Sequence, residues 1–413
     1  MLDGQRRKLN AVTELIKDLQ TLSRFGADRD DGGISRLAWS PPLLEASGWL
    51  VQQVRALGLD ADLDAAGNVV AVWAADGGDA LVVGSHLDTV PNGGRFDGAL
   101  GVIAGLAALR QLRGSGFQPK RPIWLVSFMD EEGARFGTPM FGSRAFVGED
   151  LQHLGTRTDG DGTRLADAMS AAGFSLEALS SARAIDRVHG YLELHIEQGP
   201  VLEAQDTDVG VVTHIAGSAD LQVVVTGEAG HAGTTPMGAR RDALVGASRM
   251  ITLIRQAAAE DGDVRATVGT IAVSPGASNV IPARAEFTVD VRATEEAAID
   301  RFSARLSALI ADIAREEGLE ASLDEAARLA PLALAGDLQG ALATAAREAG
   351  ASFTSMPSGA AHDAMVLGRH VPAGMLFVPS RGGVSHSPSE YTSADDAVRG
   401  AEVLTRAIAL LAS

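Results

Sequence analysis

Short apolar runs alternate with a helical stretch in the first half of the chain, and this alternation limits the fold more than any other feature. Residues 80–85, 123–129 and 191–196 have the length and apolarity of buried strands. Between the first two, residues 101–114 carry apolar side chains at helical spacing. A strand, a helix and a strand in that order predict a mostly parallel sheet with helices on its faces, so the fold class is α/β.

The pattern changes near residue 213 and changes back near residue 329. Between these points the sequence predicts an exposed strand and turn, an amphipathic helix, several antiparallel strands and a second helix, over residues 220–233, 240–258, 265–293 and 297–318. Such an order describes a small α+β sandwich. A helix and a strand follow, over residues 338–350 and 374–380. We therefore expect a discontinuous domain with a mostly parallel sheet, residues 1–213 and 329–413, and an inserted domain, residues 214–328.

Composition limits the chemistry and the partners. No cysteine occurs in the 413 residues, which excludes disulfides, thiolate metal ligands and a cysteine nucleophile. The net charge of −18 argues against nucleic acids and anionic membrane surfaces, because both are bound through basic patches. No run approaches the roughly 20 apolar residues of a membrane span, and residues 1–20 favour an amphipathic polar helix without an apolar targeting segment. We expect a cytoplasmic protein that binds neither nucleic acid nor a membrane.

The predicted strands end in residues that bind metals. Ligands of open α/β sheets bind outside the carboxyl ends of the strands. Residues of this kind lie at or just after the ends of four apolar runs and in the turn before the 101–114 helix: His86 with Asp88, Glu131 with Glu132, His195, His386, and Asp97. Imidazole and carboxylate ligands without thiols suit divalent zinc, manganese, cobalt or nickel.

The number of candidate ligands indicates more than one ion. Five ligands exceed what one tetrahedral zinc uses, and two ions about 3.5–4 Å apart with a shared carboxylate account for them better. Asp97 fits the bridge because it lies in a glycine-rich turn. Of the adjacent pair Glu131 and Glu132, one can bind metal while the other stays free as a general base. Asp88 is expected to hydrogen-bond the imidazole of His86.

Six segments together resemble the M20-type amidohydrolases. Within these they are similar to the branch that contains N-carbamoyl-L-amino acid hydrolases, allantoate amidohydrolases and β-ureidopropionases. The segments are ISRLAWSPP, GSHLDTVPNGGRFDGALGV, MDEEGARFG, ELHIEQGPVLE, GHAGTTPM with RRDAL, and FVPSRGGVSHSP. The resemblance extends from about residue 30 to residue 395 and implies a catalytic domain with an inserted lid and dimerisation domain.

The resemblance implies a role for each matching residue. The metal ligands would be His86 and His195 for one ion, Glu132 and His386 for the other, and Asp97 as the bridge. Glu131 would be the general base. His231 would reach the site of a neighbouring subunit and stabilise the oxyanion, while Asn279 and Arg292 would hold a substrate carboxylate. Further substrate contacts would come from Gln198 and from the stretch with Gly359, His362 and Asp363.

The reaction predicted is hydrolysis of the ureido or amide C–N bond of an N-carbamoyl-L-amino acid, with release of the amino acid, carbon dioxide and ammonia. Allantoate and N-carbamoyl-β-alanine remain alternatives, because the same residues would bind their carboxylates. A dipeptidase or aminoacylase is more distant, since its HIEQGP and GHAGTTPM counterparts are less similar. A non-catalytic metal-dependent binding protein would lack a ligand or the base, and this chain has no such gap. The expected partners are the small carboxylate-bearing substrate and a second copy of the chain.

Overall fold

The computed structural model describes residues 13–28 and 32–413. Of the helix expected over residues 1–20, the part up to residue 12 lies outside the described residues, and residues 13–22 are helical. The chain divides into two compact units, one formed by residues up to Thr213 together with Leu334–Ser413 and the other by His214–Ala333. Within the described residues, no helix has the length and apolarity to cross a membrane.

The larger unit is built on a sheet whose centre is parallel. Its strands are β1 (Asp60–Leu63), β2 (Val69–Trp73), β3 (Ala80–His86), β4 (Ile123–Phe128), β5 (Val188–Ile196), β6 (Val209–Ile215), β14 (Phe353–Ser358) and β15 (Ala373–Val378). They lie in the order β1-β2-β4-β3-β5-β15-β6, and β14 also pairs with β6. The strands β4, β3, β5 and β15 are mutually parallel, whereas β1, β2 and β6 are antiparallel to their neighbours. The prediction of a mostly parallel central sheet is confirmed.

Helices of the larger unit cover its sheet. After the helix of residues 13–22 they are α1 (Pro41–Arg55), α2 (Ala99–Gly114), α3 (Phe141–Val147), α4 (Leu165–Ala171), α5 (Val201–Gln205), α8 (Gly336–Ala349), α9 (Asp363–Leu367) and α10 (Ala394–Leu411). Of these, α2, α3, α8, α9 and α10 contact the central strands, and α1 contacts β1 and β2. Every residue of β3, β4 and β15 is buried, as continuous apolar runs require of strands covered on both faces. Helix α2 lies close to the sheet, since a Cβ at Gly101 would be 2.2 Å from the Leu194 carbonyl oxygen. This close packing fixes the start of α2 beside the ends of β3 and β5.

The inserted unit is a four-stranded antiparallel sheet with two long helices. Its elements are β7 (Gly217–Thr226), β8 (Gly230–His231), α6 (Ala243–Asp261), β9 (Arg265–Ser274), β10 (Val280–Ile281), β11 (Arg284–Ala293), α7 (Glu296–Glu317), β12 (Glu320–Leu329) and β13 (Leu332–Ala333). The sheet order is β12-β7-β11-β9, and β8 and β10 form a separate ribbon. Residues of α6 and α7 share one apolar core with the buried face of the sheet. The expected α+β layer is thus present.

Two details of this unit differ from the sequence expectation. Strand β7 is not exposed, because it pairs with β11 on one side and β12 on the other and buries alternate side chains. The unit also ends at Ala333 rather than at residue 328. The reason is pairing: Leu329 lies opposite Ser218, and the short strand β13 lies opposite His214 and Ile215.

Candidate metal centre and active site

The larger unit brings all five candidate ligands to the carboxyl ends of its parallel strands. His86 is the last residue of β3 and His195 the penultimate residue of β5. Glu132 follows β4, His386 follows β15, and Asp97 lies just before α2. Their nitrogen and oxygen atoms form two groups, each compact enough to hold one metal ion, and Asp97 belongs to both.

The first group consists of His86, His195 and one oxygen of Asp97. The Nε2 atoms of His86 and His195 lie 3.6 Å and 3.1 Å from Asp97 Oδ1. The Nδ1 atom of His86 is 3.1 Å from the Asp88 backbone oxygen, and that of His195 is 2.9 Å from the Ile196 backbone oxygen. A neutral imidazole that donates from Nδ1 to a carbonyl keeps Nε2 as an acceptor, which is the form that binds a metal.

The second group uses the other oxygen of Asp97. The Nε2 atom of His386 lies 3.4 Å from Asp97 Oδ2 and 3.4 Å from Glu132 Oε1. Glu132 Oε1 is buried and makes no hydrogen bond to the described residues. A buried carboxylate oxygen without a partner is costly, and a cation between Glu132, His386 and Asp97 would supply one. The residues therefore fit a bound metal ion at this position.

Asp97 is held from several directions. Its Oδ2 atom accepts hydrogen bonds from Gln198 Nε2 at 2.8 Å and from Ser385 Oγ at 2.7 Å. Glu390 Oε1 accepts from the backbone N–H groups of Phe96 at 2.8 Å and Asp97 at 3.0 Å. These contacts fix the carboxylate between the two groups, as a bridging ligand requires.

The charges of the cluster support the same interpretation. Burial alone would raise the pKa of Asp97, but His195 and His386 hold it well below its usual value. Burial opposes the charge of His195, yet Asp97 raises the pKa of this histidine to about 9. A hydrogen bond to Asp97 raises the pKa of His386 to about 9 as well. The cluster thus attracts positive charge, which protons supply in the protein alone and which metal ions can supply instead.

Glu131 lies beside the first group, with Oε2 3.7 Å from His86 Nε2. Burial, followed by the charge of Asp363, raises the pKa of Glu131 well above its usual value. The backbone N–H groups of Glu131 and Glu132 donate to Asp88 Oδ1 and Oδ2 at 3.2 Å and 3.1 Å. The carboxylate of Asp88 therefore holds the loop of the glutamates. The hydrogen bond expected between the Asp88 carboxylate and His86 differs in one respect: the atom of Asp88 that accepts from the imidazole is its backbone oxygen.

Three further residues near the centre were expected to contact substrate. Gln198, in a left-handed backbone conformation with φ 58°, hydrogen-bonds Asp97 as described. His362 is buried, with its ring 4.5 Å from that of His195 and its Nε2 2.9 Å from Ser358 Oγ. Burial, with the charge of His195, holds the pKa of His362 well below its usual value, so this imidazole is neutral. Gly359 is exposed.

The remaining predicted residues belong to the inserted unit. His231 on β8 lies opposite Val280 on β10, and the N–H of Ala232 donates to the Asn279 carbonyl oxygen at 3.0 Å, so His231 and Asn279 are neighbours. The N–H of Gly233 donates to His231 Nδ1 at 3.0 Å. Arg292 Nε donates to Asp290 Oδ1 at 2.9 Å.

Three further residues of the site, Glu390, Ser385 and Glu193, were not predicted from the sequence. Glu193 is fully buried, and its carboxylate accepts hydrogen bonds from Ser85 Oγ at 2.9 Å and the N–H of Ala364 at 3.0 Å. The available signal was proximity, because Glu193 lies two residues before His195, and Glu390 four residues after His386. A carboxyl group near a predicted ligand does not by itself reveal which backbone groups it binds.

Paired groups of imidazole and carboxylate at this edge of a parallel sheet are typical of metal-dependent hydrolases. Residues 82–410 match the Peptidase family M20/M25/M40, and the chain belongs to this family.

Comparison with individual proteins narrows the reaction class. The chain is 39% identical over 406 residues to the allantoate amidohydrolase of Bacillus subtilis (strain 168), covering 97% of this chain and 98% of the relative. It is 39% identical over 415 residues to the N-carbamoyl-L-amino acid amidohydrolase of Geobacillus stearothermophilus, covering 100% and 99%. The crystal structure of an amidase of the hydantoinase/carbamoylase family from Burkholderia multivorans superposes with a TM-score of 0.90 at 35% identity, covering 97% of this chain and 98% of that one. The chain is a hydrolase of this metal-dependent family, and these relatives are amidohydrolases, which act on non-peptide C–N bonds.

Proposed function

We propose that the chain hydrolyses the ureido group of an N-carbamoyl-L-amino acid to the amino acid, carbon dioxide and ammonia. The observation that carries the proposal is the position of Glu131 beside two ligand groups that share Asp97. A relative named as an N-carbamoyl-L-amino acid amidohydrolase aligns with the whole length of this chain. Allantoate is the second candidate, because the relative from Bacillus subtilis is 39% identical as well.

The metal ligands follow from the two groups. One divalent ion, of zinc, manganese, cobalt or nickel, would be held by His86 and His195, a second by Glu132 and His386, and Asp97 would contact both. When bound, such ions polarise a carbonyl group and lower the pKa of water towards about 7.

Glu131 carries the proton in this proposal. Its carboxylate accepts a proton from the attacking water and delivers it to the leaving nitrogen. Burial and the neighbouring carboxyl groups increase its affinity for that proton. Asp88 supports the transfer, because its carboxylate fixes the backbone N–H of Glu131 and thereby the direction of the side chain.

The inserted unit would supply groups for the substrate. The N–H of Gly233 donates to His231 Nδ1, so Nδ1 is an acceptor and Nε2 is the nitrogen that can donate. A donor of this kind stabilises an oxyanion. Arg292 donates to Asp290 from Nε and Nη2, and its guanidinium would also bind the substrate carboxylate, with Asn279 adding an amide. Gln198, His362 and Gly359 stay as proposed contacts from the larger unit.

We also propose that two copies pair through the open edge of β9. Among the described strands β9 pairs only with β11, and it carries no charged residue after Arg265. Ile271 on this edge is 47% exposed. The opposite edge, β12, is protected by Glu320, Asp324, Glu325 and Arg328, as edges that avoid pairing usually are.

The cytoplasmic location expected from the sequence stays a prediction.

A panel of substrates tests the function. The protein is loaded with manganese and assayed for ammonia with several N-carbamoyl-L-amino acids, allantoate and N-carbamoyl-β-alanine, and for amine release with dipeptides. We expect the highest kcat/KM with an N-carbamoyl-L-amino acid. A preference for allantoate would establish the second candidate, and turnover of dipeptides alone would refute both.

A mixing experiment tests the shared site. His231→Ala and Glu131→Gln variants are each expected to be inactive, and exchange of subunits between them should restore part of the activity. If the mixture stays inactive although sedimentation shows mixed dimers, His231 does not act across the subunits.

A further inference from the structure

Arg36, in the segment ISRLAWSPP, is buried in the larger unit. Its relative exposure is 0%, and within the part of the chain that the structure describes no other arginine or lysine is buried. Many buried carboxyl groups, by contrast, lie in the same unit. A buried cation that hydrogen-bonds none of the candidate metal ligands needs a reason, because burial of a guanidinium is costly.

The backbone around Arg36 runs beside the segment that joins His86 to Asp97. The N–H of Arg36 donates to Thr89 Oγ1 at 2.9 Å, and the N–H of Thr89 donates to the Arg36 carbonyl oxygen at 3.1 Å. Ile34 and Gly93 exchange two more backbone hydrogen bonds, of 3.0 Å and 2.8 Å. This pairing supports the loop that begins at one metal-ligand candidate and ends at the bridging one.

The guanidinium contacts the same loop. Its Nε atom donates to the carbonyl oxygen of Leu87 at 2.5 Å, the residue between His86 and Asp88. Longer contacts of 3.4 Å and 3.5 Å from Nη1 reach the carbonyl oxygens of Leu22 and Phe25. The strongest interaction of Arg36 is therefore with the end of β3.

Two carboxylates favour the charge of Arg36, although among the described residues neither forms an ion pair with it and its buried Nη2 atom makes no hydrogen bond. Burial lowers the pKa of Arg36 to about 10, and the charges of Asp88 and Glu390 oppose this effect. Each of these acids fixes part of the site: Asp88 binds the N–H groups of the Glu131 loop, and Glu390 binds those that precede α2.

We propose that Arg36 is a positioning residue for the metal centre, acting through the Leu87 carbonyl oxygen. Its guanidinium donates to backbone carbonyl oxygens and to none of the proposed metal ligands. Its removal should leave His86 and the loop of the glutamates less well placed, so that metal affinity falls. This inference depends on the metal-binding role proposed above.

Arg36→Met and Arg36→Lys test the inference in the full chain. The first variant removes the charge and the Nε donor, and the second keeps a charge. The dissociation constant of zinc, measured by competition with a chromophoric chelator, should rise by about 10- to 100-fold in Arg36→Met, the usual loss when the support of a metal ligand is removed. Arg36→Lys should lie between this variant and the wild type. The visible spectrum of the cobalt-loaded Arg36→Met protein should change, while KM of the loaded enzyme stays near that of the wild type.

Leu50→Ala provides the matched control for general destabilisation. Leu50 is fully buried in α1 of the same unit, so its truncation lowers Tm by creating a cavity. Its zinc affinity should remain that of the wild type. Should Arg36→Met not fold, Arg36→Lys and Thr89→Val, which removes the hydroxyl that accepts from the Arg36 N–H, provide the comparison.

The results separate the possible failures. A lower Tm with unchanged zinc affinity and cobalt spectrum in the Arg36 variants would overturn the inference, because Arg36 would then only stabilise the fold. An equal loss of affinity in Leu50→Ala would overturn it as well. A wild-type protein that binds no zinc would instead refute the proposed metal site.

Discussion

Loading the metal-free protein with zinc or manganese at pH 7 should release protons, because the ligands must be deprotonated to bind. The pKa values of His195 and His386 are raised to about 9 by Asp97, so in the metal-free protein both side chains are protonated imidazolium cations at pH 7. Burial, with the charge of Asp97, raises the pKa of Glu132 to about 8. We therefore expect about two to three protons released per chain, the upper value if Glu132 contributes fully.

The sign of the pH dependence follows from the same groups. Protons and metal ions compete for His195, His386 and Glu132. The metal affinity should therefore increase as the pH is raised towards about 9 and decrease as the pH is lowered. Calorimetric titrations at pH 7 in buffers of different ionisation enthalpy give the number of protons as a slope. His386→Gln should release at least one proton fewer, and His370→Gln, which alters an exposed histidine outside the cluster, should match the wild type. Release of less than about one proton per chain would refute the charge state derived from the structure.

Three other perturbations have definite expected outcomes. Glu131→Gln should lower kcat by about 10²–10⁴-fold with unchanged metal content, since it removes the general base and no ligand; retained activity in the assay for ammonia would exclude Glu131 from that role. Gly98→Ala should reduce the metal content measured by elemental analysis, because Gly98 has φ 61° and an added Cβ would lie 2.4 Å from ring atoms of His86. Full metal occupancy in this variant would show instead that the ring can move aside. Metal should raise Tm more at pH 9 than at pH 6.5. The reason is that the raised pKa values of His195 and His386 stabilise the metal-free fold fully below about pH 6.5, and this stabilisation is lost as the pH rises through about 9. Thermal scans in which the effect of metal on Tm becomes smaller with increasing pH would contradict this sign.

Local patterns in the sequence predicted the sheet and the residues at its edge. Continuous apolar runs gave β3, β4, β5 and β15, because strands covered on both faces need apolar side chains throughout. The side chains at their ends then had to lie together, since parallel strands end at one edge. Strand β7 was misjudged as exposed because alternation does not show how many partners a strand has.

The support of the site depends on contacts that the sequence could not indicate. Glu390 binds the backbone of Phe96 from 294 positions away along the chain. Arg36 and Leu87 are 51 positions apart. Nothing near either residue in the chain specifies such a partner, because the partner is a backbone group whose position depends on the whole fold.

The metal content of Asp97→Ala tests the central claim most directly. The claim is that Asp97 joins two ligand groups, so the wild type should bind two ions per chain, as two-metal sites do. His386→Ala should keep one ion, in the group with His86 and His195. Asp97→Ala should lose tight binding of both ions while its fold, followed by circular dichroism, is kept. Two tightly bound ions in a folded Asp97→Ala protein would contradict the shared site.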